Sequence, residues 1–145
     1  MRIERSVVIE RPLGEVFQFI ADPRNDPRWC PKVDSVEQVD GEGPGPGSRY
    51  VTIHRPVPLR PARALDHRCV GWTPPRRIEW IEDDGVDRYE VTYELEPHAH
   101  GTRLSQRSDA RLGAPKLLHP IWRRGIGNDI AGQLRSLKNL LESSS

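Results

Sequence analysis

Hydrophobic and polar residues alternate with a period of two over much of the chain, which predicts β-strands. The clearest run places Tyr89, Val91, Tyr93 and Leu95 on one face, with charged or hydroxyl residues between them. Such a strand has one face in a core and the other in water. With Gly and Pro breaks between runs, the pattern predicts strands at Arg2 to Glu10, Val33 to Val39, Arg49 to Arg55, Ala62 to Trp72, Arg76 to Glu82, Asp87 to Glu96 and Thr102 to Arg111.

The segment after the first predicted strand carries a helical pattern. Pro12 suits a first helical turn, and an apolar face follows from Val16 to Ile20. The proline-rich segment Asp22 to Pro31 predicts a second short helical bend, which presents Trp29. We therefore expect two short helices in this region.

The C-terminal segment places apolar residues at spacings of three and four, which predicts a long helix. Its stripe comprises Leu118, Trp122, Ile126, Ile130, Leu134, Leu137 and Leu141, and we expect its first members and Ile121 to press on the sheet. Pro120, Gly125 and Gly127 predict a kink or a late start, with the firm part beginning near Asn128.

The order of these elements predicts an α+β protein with a curved seven-stranded antiparallel sheet wrapped around one long C-terminal helix. Residues 1–145 have the length of a single domain. A long sheet with one polar face needs cover on its other face, and only the terminal helix is long enough. Because a twisted sheet does not close fully on one helix, we expect a gap lined by both.

Composition narrows the choice of partners. The chain has 22 basic and 21 acidic residues, so its net charge of +1 gives no overall attraction to nucleic acid. No apolar run approaches the ~20 residues of a membrane span, and no signal-peptide stretch opens the chain, so we expect a cytoplasmic location. Cys30 and Cys69 are too few and too far apart for a disulfide framework.

Several stretches, taken in order, resemble one family. They are Val8 to Pro12, Val16 to Ile20, Asp22 to Trp29, Pro74 to Trp80, Gly101 to Leu104 and Leu134 to Glu142. Together they are similar to the START-like (SRPBCC) superfamily and, within it, to the polyketide cyclase/dehydrase-like proteins with the helix-grip fold. The resemblance implies a cavity between sheet and helix for a hydrophobic or aromatic ligand. It also implies, in some members, aromatase or cyclase activity on carrier-bound polyketides.

Three consecutive polar residues within a predicted strand, Asp66, His67 and Arg68, are the first catalytic candidates. Alternation places either Asp66 and Arg68, or His67, on the inner face. The resemblance favours Arg68, because the family's aromatase/cyclases have a pocket arginine in the matching strand. Such an arginine polarises a carbonyl, while Asp66 accepts a proton; the alternative is a solvated outer ion pair. His54 and Arg55 present the same choice of face.

Further residues are candidates for contact with a ligand, or for ordinary packing. They are Trp29, Val51, Ile53, Trp80, Tyr89, Tyr93 and Gln106 on the loop and strands, and Leu118, Ile121, Trp122 and Asn128 on the terminal helix. Tyrosine hydroxyls on an apolar wall orient a ligand carbonyl or phenol. The polar atoms of Gln106 and Asn128 supply further hydrogen bonds.

Two functions remain open from the sequence. One is a cofactor-free cyclase, aromatase or dehydratase that folds a polyketide-like chain, either free or bound to a carrier. The other is a binding or transfer protein that holds an apolar ligand unchanged. Buried ionisable groups at Asp66, Arg68 or His54 favour the first, and a wall of only apolar and tyrosine side chains favours the second. We expect no metal and no cofactor, and either a monomer or a homodimer.

Overall fold

The computed structural model describes residues 1–55 and 59–143, so the predicted single domain 1–145 extends slightly outside the described residues. One sheet contains seven antiparallel strands: β1 Arg2–Ile9, β2 Val33–Asp40, β3 Arg49–His54, β4 Arg63–Thr73, β5 Arg77–Asp83, β6 Arg88–His98 and β7 Gly101–Arg111. The helices are α1 Leu13–Ile20 and α2 His119–Ser143, with 3₁₀ helices at Pro23–Arg28 and Lys116–Leu118. The predicted helix-grip fold is confirmed.

The strand order across the sheet is β1-β7-β6-β5-β4-β3-β2. Strands β2 to β7 form a meander, and β1 joins it by pairing with the last strand, β7. The segment with α1 and the first 3₁₀ helix therefore carries the chain from one edge of the sheet to the other. None of the helices in the described ranges is both long and apolar enough to cross a membrane.

The hydrophobic core lies between the inner face of the sheet and the two helices. Helix α1 buries Val16, Phe17 and Ile20. Helix α2 buries Gly127, Ile130, Leu134, Leu137 and Leu141, none of them in its first two turns, and packs chiefly against β1. The first two turns of α2 therefore add no buried residue to the core.

Helix α2 begins earlier than the sequence predicts. It starts at His119, nine residues before the expected firm start at Asn128. Pro120 lies in the first turn, where a backbone N–H has no helical partner, so proline is tolerated there. The first residues of the stripe do not press on the sheet: Leu118, Ile121 and Trp122 are 43%, 72% and 37% exposed.

Candidate ligand cavity and acid-base site

A cavity of about 400 Å³ lies between the sheet and the first half of α2. The apolar part of its wall comprises Val33, Leu65, Val91, Ile121, Ile126 and Ile130. The cavity exists because α2 packs mainly on β1, which leaves the inner faces of β3, β4 and β5 uncovered by the helix. This volume is within the range of small-molecule sites.

A chain of polar side chains crosses the inner wall. His67 on β4 lies opposite Glu82 on β5 in the sheet register, and its Nε2 is 3.4 Å from Oε1 of Glu82. Its Nδ1 is 3.2 Å from the Thr52 hydroxyl on β3. His67 is only 3% exposed, and burial lowers its pKa to about 3, so the ring is neutral at physiological pH.

Glu82 is an acid whose ionisation is adjusted by the cavity. Burial raises the pKa of Glu82 from 4.5 to about 7. Its side chain keeps 24% of its surface accessible, but it borders the cavity, so this accessibility does not give it a full hydration shell. Near neutral pH the carboxyl is therefore present in both forms, which suits a group that accepts and returns a proton.

A second acid, Asp26, faces the same cavity from the 3₁₀ helix. Burial raises the pKa of Asp26 well above its ordinary value, and the negative charges of Glu82 and Asp22 add to this effect. The pKa of Tyr93 is also raised, by burial and by the nearby Asp26 carboxyl. Burial therefore keeps the Tyr93 hydroxyl as an O–H donor and favours the protonated form of Asp26, which also carries an O–H donor.

The 3₁₀ helix fixes the position of Asp26. The Asp26 carbonyl accepts hydrogen bonds from the backbone N–H groups of Trp29 and Cys30, at 3.1 and 2.8 Å. The Trp29 ring in turn packs edge-on against Tyr93, with centroids 6.5 Å apart. Asp26 is thus held by the same packing that holds Tyr93.

Two further contacts border the cavity. Lys32, which follows the 3₁₀ helix, donates to Asp129 of α2 at 2.6 Å. His54 Nε2 lies 3.4 Å from Oδ2 of Asp84, whose side chain is fully buried. Burial lowers the pKa of His54, and the Asp84 carboxylate opposes this.

The structure places six of the predicted site residues on the cavity wall. They are His54, Tyr89, Tyr93, Gln106, Ile121 and Trp122. Gln106 is 5% exposed and lies opposite Tyr93 in the sheet register, and its Oε1 has no hydrogen-bond partner among the described residues. It is therefore available to a ligand.

The prediction that Arg68 and Asp66 face the cavity is wrong. Arg68 is exposed, and Asp66 pairs with Arg49 on the outer face at 2.6 Å. Since His67 occupies the inner face of β4, its two neighbours must point outward. The prediction for Val51 and Ile53 is wrong for the same reason, because the inner face of β3 carries Tyr50, Thr52 and His54.

Four other candidates lie outside the cavity. Trp29 and Trp80 are each 2% exposed and belong to the core behind the wall, where Trp80 packs on His67 with ring centroids 4.6 Å apart. Leu118 lies before the start of α2, and Asn128 is exposed on the outer side of that helix. None of the four borders the cavity.

The sequence analysis did not select Glu82, Asp26 or Thr52 for the site, and it left His67 as one of two alternatives. A signal was present for Glu82, which shares the parity of Ile78 and Trp80 and therefore stands on the apolar face of β5. No comparable signal marks Asp26, because the proline-rich segment has no period that shows which side faces inward.

A curved sheet that grips a terminal helix over a cavity defines the START-like class of folds. The family profile described as polyketide cyclase / dehydrase and lipid transport matches residues 1–142. The chain belongs to this family, which confirms the resemblance found in the sequence. Membership supports the binding of a hydrophobic ligand, and it leaves the reaction unspecified.

Solved structures show the same fold at low sequence identity. The protein TTHA0849 from Thermus thermophilus is 21% identical, with a TM-score of 0.83 and full coverage of both chains. A START superfamily protein from Mycobacterium smegmatis is 11% identical, with a TM-score of 0.81 and 99% coverage of both chains. Ara h 8.0201 is 14% identical, with a TM-score of 0.73 and 99% coverage of both chains. No curated protein is significantly similar to the chain.

Proposed function

We propose that the protein binds a hydrophobic or aromatic carbonyl compound in this cavity and acts on it as a cofactor-free cyclase or dehydratase. The observation that carries the proposal is the convergence of buried ionisable groups on one wall of an otherwise apolar cavity. His67 Nε2 lies 3.4 Å from Glu82 Oε1 there, and Asp26 and Tyr93 border the same space. Acids and bases with perturbed pKa values in a cleft are candidates for a functional site.

The proposed reaction uses a base, Glu82, and two hydrogen-bond donors, Asp26 and Tyr93. The ionised form of Glu82 removes a proton from the carbon next to a ligand carbonyl. The Tyr93 hydroxyl, and Asp26 in the protonated form that burial favours, donate hydrogen bonds to the carbonyl oxygen, on which the negative charge collects. The enolate carbon then attacks a second carbonyl of the same chain, and the resulting alkoxide takes the proton from protonated Glu82, which restores the ionised base. For dehydration, Glu82 removes a second proton from the carbon between the carbonyl and the new hydroxyl, the hydroxide leaves, and it takes that proton from Glu82 to depart as water.

His67 serves as a positioning residue for Glu82. A neutral imidazole allows Glu82 to ionise without forming a fixed ion pair, and the Thr52 contact at 3.2 Å orients the ring. The hydroxyl of Thr52 accepts or donates a hydrogen bond, so it fits either imidazole tautomer. The contact between Thr52 and His67 therefore persists whether Glu82 is protonated or ionised.

The test uses 2-tetralone, a bicyclic ketone with exchangeable protons next to its carbonyl. The protein should accelerate deuterium incorporation from D₂O, followed by NMR, with a rate that rises with pH and levels off above about 7 because Glu82 must be ionised. Glu82→Gln should reduce the acceleration by roughly 100-fold or more. Asp26→Asn should also reduce it.

The matched controls are Asp66→Asn and Arg68→Ala, which lie on the outer face of β4 and should behave as the wild type. Binding without acceleration would remove the enzymatic part of the proposal and leave a binding or transfer protein, the other function that the family description includes. Failure of 2-tetralone and of larger bicyclic ketones to bind would refute the cavity itself as a ligand site.

A further inference from the structure

Large apolar side chains are exposed on one small part of the surface. Of the eight that are exposed among the described residues, five surround the start of α2: Val86, Leu117, Leu118, Ile121 and Trp122. We call these five residues the mouth surface, because Ile121 and Trp122 also border the cavity. Contiguous exposed apolar groups mark interaction sites, whereas scattered ones need no explanation.

The mouth surface is held together by contacts between two chain segments. Val86 lies in the turn between β5 and β6, and the adjacent Asp87 accepts a hydrogen bond from the Gly113 N–H at 2.8 Å. Three residues later the 3₁₀ helix Lys116–Leu118 begins, and it leads directly into α2. Leu117 projects from this turn with 91% of its surface exposed.

The charge of this region differs from that of the whole chain. The net charge of the protein is only +1, but residues 112–128 contain no aspartate or glutamate. They contain Lys116, Arg123 and Arg124, all exposed. Asp83, Asp84 and Asp87 lie in and beside the turn that carries Val86, and they pair with Arg88 and Arg63 at 3.3 to 3.7 Å. The apolar side chains are thus accompanied by three cations that are not members of those pairs, a combination that complements an anionic surface with an apolar interior.

We propose that the mouth surface docks reversibly on an anionic lipid bilayer, with the cavity opening toward the membrane. Protruding Leu, Ile and Trp side chains insert at the boundary of headgroups and acyl chains, and nearby Lys and Arg contact lipid phosphates. Five side chains are few compared with the roughly 20 residues per partner of a stable protein interface. They suffice for reversible membrane binding when basic residues assist.

The proposal gives an apolar ligand a route that avoids water. Such a ligand partitions into a bilayer, and the mouth would lie against the phase that holds it. The docking does not depend on the proposed reaction, because it is measured with the ligand-free protein. Its failure would leave the cavity chemistry untouched, and failure of the ketone exchange test would leave the docking untouched.

The experiment is co-sedimentation of the full chain with vesicles of phosphatidylcholine alone or mixed with phosphatidylglycerol. The protein should bind the anionic vesicles and lose binding at about 0.5 M salt, where charges are screened. Leu117→Asp, outside the cavity and the core, should weaken binding at least about tenfold, as should Arg123→Glu combined with Arg124→Glu. Tryptophan emission, to which the exposed Trp122 contributes together with three other tryptophans, should shift to shorter wavelength on binding.

Matched controls separate this surface from general effects of charge or polarity. Val70→Asp introduces the same change at a side chain 54% exposed on β4, away from the mouth surface. Arg135→Glu reverses an exposed charge further along α2. Both should bind as the wild type. Absence of binding to anionic vesicles, or equal binding by all variants, would overturn the proposal. Binding of an acidic carrier protein through Leu117 in place of vesicles would also overturn it.

Discussion

At the scale of single residues, the decisive feature is an acid next to a neutral imidazole in a poorly hydrated wall. Glu82 and His67 are both kept from charging by burial, which acts on them in opposite directions: it raises the pKa of Glu82 and lowers that of His67. The fold therefore bears a cost in stability at the proposed site. This cost is measured as a dependence of the free energy of unfolding on pH.

Replacing Glu82 by glutamine should change how stability depends on pH. The pKa of Glu82 is about 7 in the folded protein and about 4.5 when unfolded, so the folded state binds more protons between these values. Ionisation of Glu82 therefore lowers the free energy of unfolding as pH rises from about 4.5 to 7, by up to ~3 kcal/mol. Relative to the wild type, Glu82→Gln should gain stability over this range, measured by urea unfolding at pH 5 and pH 8.

Glu90→Gln is the matched control, because Glu90 is exposed on β6. Its stability relative to the wild type should stay constant between pH 5 and pH 8. A Glu82→Gln variant that tracks Glu90→Gln at both pH values would show that Glu82 ionises as an ordinary surface acid, and the proposed base would lose its physical support.

The residue scale also shows where prediction from sequence ends. On β4 the residues on both sides of His67 are charged, so alternation alone leaves the inner face undecided, and the family resemblance favoured the wrong side. On β6, polar and apolar residues separate cleanly, and Tyr89 and Tyr93 were placed correctly. A clear hydropathy contrast, more than residue type, determines which inward residues can be predicted.

At the scale of elements, turns and helix ends determine how closely the predicted strands and helices match the structure. The seven strands were predicted nearly to their ends, because Gly and Pro chemistry separates each pair of runs. The start of α2 was missed, because Pro120 reads as a helix breaker in a sequence and acts as a first-turn residue in the fold. Local sequence signals therefore predicted the order of the elements, and they did not predict the residue at which α2 begins.

Alanine substitutions at two glycines should change the free energy of unfolding in opposite directions. A Cβ on Gly132, inside α2, would meet nothing within 4 Å, so Gly132→Ala should raise the free energy of unfolding by about 0.5–1 kcal/mol. A Cβ on Gly101 would collide with the Ile9 carbonyl, and its φ is +154°, so Gly101→Ala should lower it by roughly 1–3 kcal/mol. Thermal or urea unfolding of both variants checks the signs.

Gly43→Ala provides the comparison for Gly101, since Gly43 also has a positive φ, of +82°, but open space around its missing Cβ. It should cost less than Gly101→Ala, because only the backbone conformation is penalised. If the two substitutions cost the same, contact of the added Cβ with the Ile9 carbonyl does not contribute to the cost at Gly101.

At the scale of the whole molecule, the candidate site is assembled from segments far apart in the chain. Asp26, Thr52, His67 and Glu82 come from a 3₁₀ helix and three different strands, and only the sheet register brings the last three together. The sequence predicted that a gap exists between sheet and helix. It did not predict which polar groups share the gap, because that depends on pairings between strands that no local pattern encodes.

The ion pair between Lys32 and Asp129 joins α2 to the segment before β2 at the cavity border. Because both side chains are more than a third exposed, the pair should add less than about 1 kcal/mol to stability. We expect Asp129→Asn to speed the release of a bound naphthalene-type fluorophore about fivefold, measured by stopped-flow displacement. Higher ionic strength should reduce the difference from the wild type.

Glu142→Gln is the matched control, since Glu142 pairs with Lys138 on the same helix at the same 2.6 Å distance but away from the cavity. It should leave the release rate unchanged. Equal rates for both variants and the wild type would show that the Lys32 contact does not restrain departure of the ligand.

Helix α2 is anchored along β1, whereas His67 and Glu82 belong to β4 and β5, and Asp26 belongs to the 3₁₀ helix Pro23–Arg28. The helical roof of the chamber and its polar floor are therefore separate parts of the protein. Exchanging Ile121 or Ile126 for larger or smaller residues would resize the chamber without moving Glu82. An architecture of this kind lets guest size diversify while the polar groups of the floor stay in place.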